Sequence, residues 1–302
     1  MKTAVLLITF NRLEYLQRTF TVVRKVKPPR LYIASDGPRP QKEGEKELVE
    51  KVRNWMLSHI DWPCEVKTRF LETNSGGCKY GVSGAVSWLF ANEPEGIILE
   101  DDCVPDETFF SYCEELLEKY RDDKRIWHIA GDAPIEVDIP ESYYFAKIQH
   151  CWGWASWADR WKHFSLDISK YGKNELKKFS DNRLVQKYWQ GILKCMNRNE
   201  IDTWDYQWTF HIVAHDGLCI NPAHCLVSNV GEIGVHFDGG ANKELNRKLV
   251  PITHIVHPAK VELNKEFVER IYTEKFGIVQ PEPKIKKYKL FGWLPLLTIE
   301  EL

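Results

Sequence analysis

The chain changes hydrophobic period several times in its first hundred residues. AVLLITF (4–10) is an unbroken apolar run, and the segment after it carries Leu13, Leu16, Phe20 and Val23 at helical spacing, so a strand followed by an amphipathic helix is predicted. RLYIAS (30–35) returns as a second strand, and the charged block QKEGEKELVEKVRNWML (41–57) predicts a surface helix with Leu48, Val52, Trp55 and Met56 on one face. CEVKTRFLE (64–72) reads as a third strand, GVSGAVSWLFA (81–91) as a helix with Val82, Val86, Leu89 and Phe90 on one side, and EGIIL (95–99) as a fourth strand. This alternation predicts βαβ units and a mostly parallel sheet, hence an α/β fold. In such sheets ligands gather beyond the carboxyl ends of the strands. Three of those ends carry polar residues: Asn11 and Arg12, Ser35 to Arg39, and the acid triplet Glu100, Asp101 and Asp102.

The second half is rich in tryptophan. Within CWGWASWADRW (151–161), Trp154, Trp157 and Trp161 recur at i, i+3 and i+7, which predicts one helix face packed into the core. NRLVQKYWQGILKCM (182–196) is helix-like, DTWDYQWTFHIVAHDG (202–217) places Tyr206, Phe210 and Val213 on one helix face, and SNVGEIGVHFDGG (228–240) is rich in glycine. The tail KIKKYKLFGWLPLL (284–297) is basic and aromatic. It reads either as a segment docked on the body or as one lying on an anionic membrane face, with Gly292 and Pro295 interrupting any long amphipathic helix.

Charge narrows the classes of partner. Lysine and arginine number 41 against 43 acidic residues among 302, a formal charge of -2, so there is no global pull toward nucleic acid. The eight cysteines show no CxxC pair and no disulfide-framework spacing, and read as thiols in a reducing compartment. The first apolar run is too short for a signal peptide's core, and no stretch approaches the ~20 residues a bilayer span needs. A cytoplasmic protein, with peripheral contact at the inner membrane face through the tail as an option, is the expectation.

The acid triplet asks for chemistry. A helix start follows in PDETFFSYCEELLEKY, and Asp106 or Asp102 would serve as its cap. One cap does not call for three adjacent carboxylates, whose repulsion needs a cation or hydrogen-bond donors to offset it. Oxygen-rich clusters suit Mg²⁺ or Mn²⁺, ions that bind one or two carboxylates together with substrate phosphates. Asp36, just after the second strand, reads either as an Asx-turn before Gly37 and Pro38 or as a ligand contact. Gly76, Gly77 and Gly81 read either as a tight strand-to-helix turn or as a close backbone approach to a ligand. Asp202 and Asp205 stand at a helix start, where one of them suffices as a cap.

Taken together, LLITFNRLEYLQRTF, IASDGPR, GIILEDDCVPDETFF, WGWASWADRW, DTWDYQW and VSNVG…VHFDGG resemble GT-A-fold nucleotide-sugar glycosyltransferases, especially bacterial relatives of the family 2 enzymes, over about residues 3–240. The resemblance implies a GT-A-like α/β/α sandwich. It implies a catalytic domain at 1–240, with a nucleotide-binding half to about 102 and an acceptor-side half over 103–240, and a C-terminal extension at 241–302. Asp102 is similar to the metal-binding carboxylate of the family's DxD element, here spelled EDD, with Glu100 and Asp101 on the nucleotide side. Thr9, Phe10, Asn11, Arg12 and Asp36 would line the nucleotide pocket, and Lys79 would reach a phosphate or ribose.

Asp205 matches the family's base, which takes the acceptor hydroxyl's proton in an inverting transfer. His236 resembles the histidine that completes the metal site, though a lone histidine is also an ordinary structural residue; its neighbour Asp238 is a further candidate. Trp152, Gly153 and Trp204 resemble sugar-facing positions. The activity so implied is metal-dependent transfer, with Mn²⁺ or Mg²⁺, of a hexosyl or N-acetylhexosaminyl group from a nucleotide diphosphate donor, expected to be a UDP-sugar. The acceptor would be a saccharide or lipid-linked hydroxyl in surface polysaccharide or glycoconjugate synthesis. Two rivals stand beside it: a sugar nucleotidyltransferase, which would open with a glycine-rich basic loop absent after the first strand here, and a non-catalytic carbohydrate-binding protein.

Overall fold

The structure, a computed structural model, describes residues 1–234, 237–238, 244–279, 284–290 and 294–301. His236, Phe291, Gly292 and Trp293 lie outside the described residues. The apolar runs become strands β1 (Ala4–Thr9), β2 (Arg30–Ser35), β3 (Glu65–Phe70) and β4 (Glu95–Glu100). Between them lie helices α1 (Leu13–Val26), α2 (Glu45–Ser58) and α3 (Cys78–Phe90). The chain continues through β5 (Cys103–Pro105), α4 (Thr108–Tyr120), β6 (Ile126–Ala130), β7 (Tyr143–Ala146) and β8 (Trp154–Trp157) to the short α5 (Ala158–Trp161). Then come α6 (Lys173–Phe179), α7 (Arg183–Asn197), α8 (Asp205–Ala214), β9 (Leu218–Pro222) and β10 (Val227–Asn229).

Eight strands form one sheet in the order β3-β2-β1-β4-β8-β6-β9-β7. β8 and β7 run against the other six, so the sheet is mostly parallel, as the alternating pattern predicts. Both faces are covered, which is why its central strands are apolar throughout rather than alternating. Val5, Leu7, Leu31, Ile33, Ile97 and Leu99 point into one core with Leu16 and Phe20 of α1, Val52 and Met56 of α2 and Phe109 and Leu116 of α4. Ala4, Leu6, Tyr32 and Ile98 point into the other, against Val82, Val86 and Leu89 of α3 and Trp208 and Ile212 of α8. The result is an α/β/α sandwich. Edge strand β3 carries Lys67 and Arg69, the charge that discourages pairing with another chain.

Two sequence expectations change. α2 buries Val49 with Val52 and Met56 and leaves Leu48 48% exposed, and the same face buries Glu45, paired with Arg39, in its first turn. Residues 154–157 form a strand, not a helix: Ala155 lies between Ile97 of β4 and Ile129 of β6, and an odd separation sends the flanking tryptophans to opposite faces. Trp157 enters the first core and Trp154 the second. Trp161, on α5, joins Trp154.

Residues 244–279 return to the same body. Helix α9 (Lys265–Arg270) and the π-helical turn Ile271–Lys275 bury Phe267, Val268, Ile271 and Tyr272 in a third apolar cluster with Tyr144, Phe179 and Trp189. Short strands β11 (Ile233–Gly234) and β12 (Phe237–Asp238) pair with each other. β13 (Lys284–Leu290) and β14 (Leu294–Glu301) make an antiparallel hairpin where the basic tail lies. No helix among the described residues is long and apolar enough to cross a membrane.

Candidate active site

Strand order reverses at β1: the chain moves from β1 outward to β2 and β3, then crosses back to place β4 on the other side. The crevice beyond the carboxyl ends of β1 and β4 is where an open α/β sheet receives a ligand. A cavity of about 1030 Å³ opens there. Its walls include Thr9 to Arg12 after β1, Asp36 after β2, Glu100 to Asp102 after β4, Asp132 after β6, Gln149 to Trp152 before β8, and Asp202 to Tyr206 at the start of α8.

The acid triplet is held from two directions. Arg12 donates to Asp101 Oδ1 and lies 2.9 Å from Asp102 Oδ2, so its guanidinium is engaged by the carboxylates on the cavity floor. From the other side β10 pairs with β5 and brings Asn229 beside Asp102, Nδ2 to Oδ1 3.4 Å. The Val230 amide donates to the Asp102 carbonyl at 2.8 Å. Gly231 closes the turn: a Cβ there would sit 2.3 Å from Asp102 Oδ2, so only glycine leaves room for that carboxylate. The sequence segment SNVG is therefore an acid-holding loop.

The cluster is under-neutralised. Among the described residues three carboxylates face one guanidinium, Asp101 Oδ2 has no hydrogen-bond partner, and the Glu100 carboxyl makes no hydrogen bond. Burial, then the charges of Asp102 and Asp101, push the Glu100 carboxyl well above its ordinary range; burial also raises Asp101, against the pull of Arg12.

Around the floor, the nucleotide-side candidates are drawn together with unequal freedom. Asn11 donates to Glu45 Oε1 at 3.1 Å, and the Arg39 guanidinium lies 5.5 Å from the Phe10 ring centroid. Thr9 is 3% exposed and its Oγ1 has no partner among the described residues. Asp36 accepts from the Gly37 and Ser75 amides at 2.8 and 2.9 Å, from Ser75 Oγ at 2.7 Å and from Asn74 Nδ2 at 3.2 Å. Its carboxylate thus fastens its own turn to the loop before α3, and it meets the cavity as a fixed wall. Lys79 is a correction: Nζ donates to Asn199 Oδ1 at 3.0 Å on the exposed outer side, and its side chain is not part of the cavity wall.

The two aspartates of DTWDYQW divide the work. Asp202 accepts from the Cys78 and Lys79 amides at 2.9 and 3.2 Å, capping α3 from more than a hundred residues away. Gly77, at φ 124°, is required there, since a Cβ would collide with that carboxylate at 2.2 Å. Asp202→Ala is expected to lower stability by about 1 kcal/mol, measured as a shifted urea midpoint with unchanged slope. Asp205 is left to the cavity, half-buried, with the Thr203 hydroxyl donating to Oδ1.

The sugar-facing candidates change most. Trp204 is 2% exposed, stacked on Trp154 at 5.4 Å and edge-on to Trp161, so its ring belongs to the core under the cavity. Gly153 is structural: it has φ 67°, its carbonyl accepts from the Gly131 amide, and a Cβ would meet Val227 at 2.7 Å. Gly153→Ala is expected to cost about 1–3 kcal/mol, read as a lowered denaturation midpoint. Trp152 does line the cavity, half-buried, with Lys275 Nζ 5.6 Å from its ring centroid. Asp132, Gln149 and His150 are wall residues that sequence reasoning missed. Asp132 follows β6 as Asp36 follows β2, and the strand-end rule would have found it had β6 been recognised as part of the sheet.

No family model matches this chain, and no curated protein matches it. Among solved structures it is similar to the mannosyltransferase PcManGT from Pyrobaculum calidifontis in complex with GDP-Man and Mn²⁺, at 12% identity over 51% of this chain and 44% of that chain, TM-score 0.36. It is also similar to S. aureus TarS 1-349, at 14% identity over 77% of this chain and 61% of that one, TM-score 0.43. A third is HddC from Yersinia pseudotuberculosis, at 12% identity over 58% and 81%, TM-score 0.33. The chain thus spans less than half the length of the mannosyltransferase.

Proposed function

We propose that the protein is a glycosyltransferase that moves a sugar from a nucleotide diphosphate donor, a UDP-sugar in the first instance, to a hydroxyl acceptor with inversion. One observation carries this reading. The under-neutralised triplet Glu100–Asp102 and the half-buried Asp205 face the same cavity, at the sheet's switch point. A leaving diphosphate and an attacking hydroxyl need those two kinds of group on one wall.

The residues fit a divalent cation. The donor set is oxygen, Asp101 Oδ2 has no partner among the described residues, and Gly231 leaves space beside Asp102 Oδ2 that any side chain would fill. Among the described residues no three His, Cys, Asp or Glu side chains converge to hold an ion by themselves. Mg²⁺ or Mn²⁺ would take one or two of these carboxylates and complete its shell with phosphate oxygens and water. Asp102 would hold the ion, with Glu100 or Asp101 through water; His236 remains a candidate ligand. When bound, the ion supplies positive charge where the departing diphosphate develops negative charge.

The protein's own groups do the rest. Thr9, Phe10, Asn11 and the Asp36 turn shape the nucleotide end of the cavity. Asp205 accepts the acceptor hydroxyl's proton as its oxygen attacks the anomeric carbon. Arg12, tied to Asp101 and Asp102, holds those two carboxylates in place. Residues 244–279 supply Lys275 and Phe276 to the cavity wall, which favours a docking role for this segment over a separate unit. A saccharide or lipid-linked acceptor is consistent with an open, partly aromatic wall.

The test is a panel of nucleotide sugars, with and without Mn²⁺, read as nucleotide release and product mass. Donor turnover that depends on Mn²⁺ supports the reading. Absence of both turnover and nucleotide diphosphate binding overturns it.

A further inference from the structure

Apart from the groups already assigned, the cavity wall carries three polar side chains that are nine-tenths or more buried and incompletely paired. Among the described residues, Asp132 is 1% exposed with Oδ1 unpartnered, Gln149 is 5% exposed with Oε1 unpartnered, and His150 is 7% exposed with Nε2 unpartnered. All three line the half of the cavity beyond β4 that β6 and the segment before β8 build, away from Thr9 and Asp36. Buried polar atoms are nearly always paired, and a cluster of exceptions in one cavity marks a surface that something else completes.

Their chemistry restricts what completes it. Gln149 Nε2 donates to the Asp205 carbonyl at 3.1 Å, which turns Oε1, an acceptor, the other way and fastens the cluster to the backbone of the proposed base. His150 Nδ1 faces Asp132 Oδ2 at 3.7 Å, so a neutral ring with its proton on Nδ1 leaves Nε2 as an acceptor. Burial holds His150 well below its ordinary pKa and pushes Asp132 up to about 6, against the opposing pull of Lys275 and Arg247. Lys275 is paired with Glu244 at 2.8 Å. The patch is therefore a set of hydrogen-bond acceptors with cations already nearby, suited to a neutral ligand that brings several donors rather than to a cation.

We infer that Asp132, Gln149 and His150 form the subsite for the acceptor saccharide, accepting hydrogen bonds from its hydroxyl groups and presenting one of them to Asp205. This rests on the glycosyltransferase reading for the direction of transfer, but not for the binding itself. Asp132→Asn turns one acceptor into a donor, and His150→Phe removes Nε2 while keeping a ring in place.

The probes are the methyl glycosides of glucose, galactose, mannose and N-acetylglucosamine, titrated by saturation-transfer difference NMR with UDP and Mn²⁺ present. At least one glycoside should bind the wild type and shift the His150 ring-nitrogen resonance. Its affinity should fall about tenfold in each variant that retains wild-type UDP affinity, the loss expected for one hydrogen bond. No glycoside binding to the wild type, or an unmoved His150 signal on binding, overturns the subsite. So does a variant that weakens UDP-glucose relative to UDP but leaves the glycosides alone, because the patch would then hold the donor sugar. If UDP fails to bind while Asp132-dependent glycoside binding persists, the transferase reading falls and the subsite stands.

Discussion

Asp205→Asn is expected to lower sugar transfer by about 10²- to 10⁴-fold, the contribution of one positioned base, while leaving UDP affinity and the unfolding midpoint near wild type. The geometry makes this a clean substitution. Asp202, not Asp205, caps α3, so the fold does not draw on the Asp205 charge for that helix. The Asp205 contacts that do hold structure are made by its main chain, whose carbonyl accepts from Gln149 Nε2 and from Thr209 Oγ1 at 3.1 Å each. An asparagine keeps both, and its side-chain oxygen still accepts from the Thr203 hydroxyl. What it loses is the ability to take a proton. Transfer is compared at saturating donor, with nucleotide affinity measured by calorimetry on the same protein. Turnover within a few-fold of wild type would sink the assignment of Asp205 as base and move attention to Asp132, the other carboxylate on the acceptor side of the wall.

How much of this was legible in the chain depends on the range over which each feature is decided. The parallel half of the sheet could be read directly, because β1, β2 and β4 are buried on both faces and so are apolar without interruption. The acid triplet was legible for the same reason: charge that ends such a run cannot be core. Residues 154–157 were misread because a helix and a strand both accommodate tryptophans three apart. The choice was made by the free edge of β4 and by β6, neither of which is local. Lys79 and Trp204 were decided by distant partners: the Lys79 amine turns outward to Asn199, and the Trp204 ring, at the edge of the cavity, stacks on Trp154. The roles of Asp202 and Gly231 were out of reach altogether. Each glycine or acid is required by a carboxylate or an amide more than a hundred residues away.

Asp102→Asn is expected to cost about 10²- to 10³-fold in transfer, the usual loss when one group that stabilises developing negative charge is removed, and to abolish the effect of Mn²⁺ on UDP binding. The argument begins with charge. Among Glu100, Asp101 and Asp102, Asp102 is the one met from the far side: Asn229 donates to its carboxylate, the Val230 amide donates to its main-chain carbonyl, and Gly231 leaves the carboxylate room. A carboxylate that other loops position in this way is being aimed. Removing its charge leaves Arg12 paired with Asp101, so the guanidinium is not stranded and no severe loss of stability follows. Glu100 and Asp101 would feel one negative neighbour fewer, which favours their ionised forms and gives the variant no reason to unfold at neutral pH. Calorimetry with UDP in Mn²⁺ and in EDTA decides the matter: wild type should bind more tightly with the metal, and the variant should show the same weaker affinity in both. Should the variant keep a full Mn²⁺ dependence, the ion is held elsewhere, and Arg12 rather than a metal is the cation that Asp102 was built to meet.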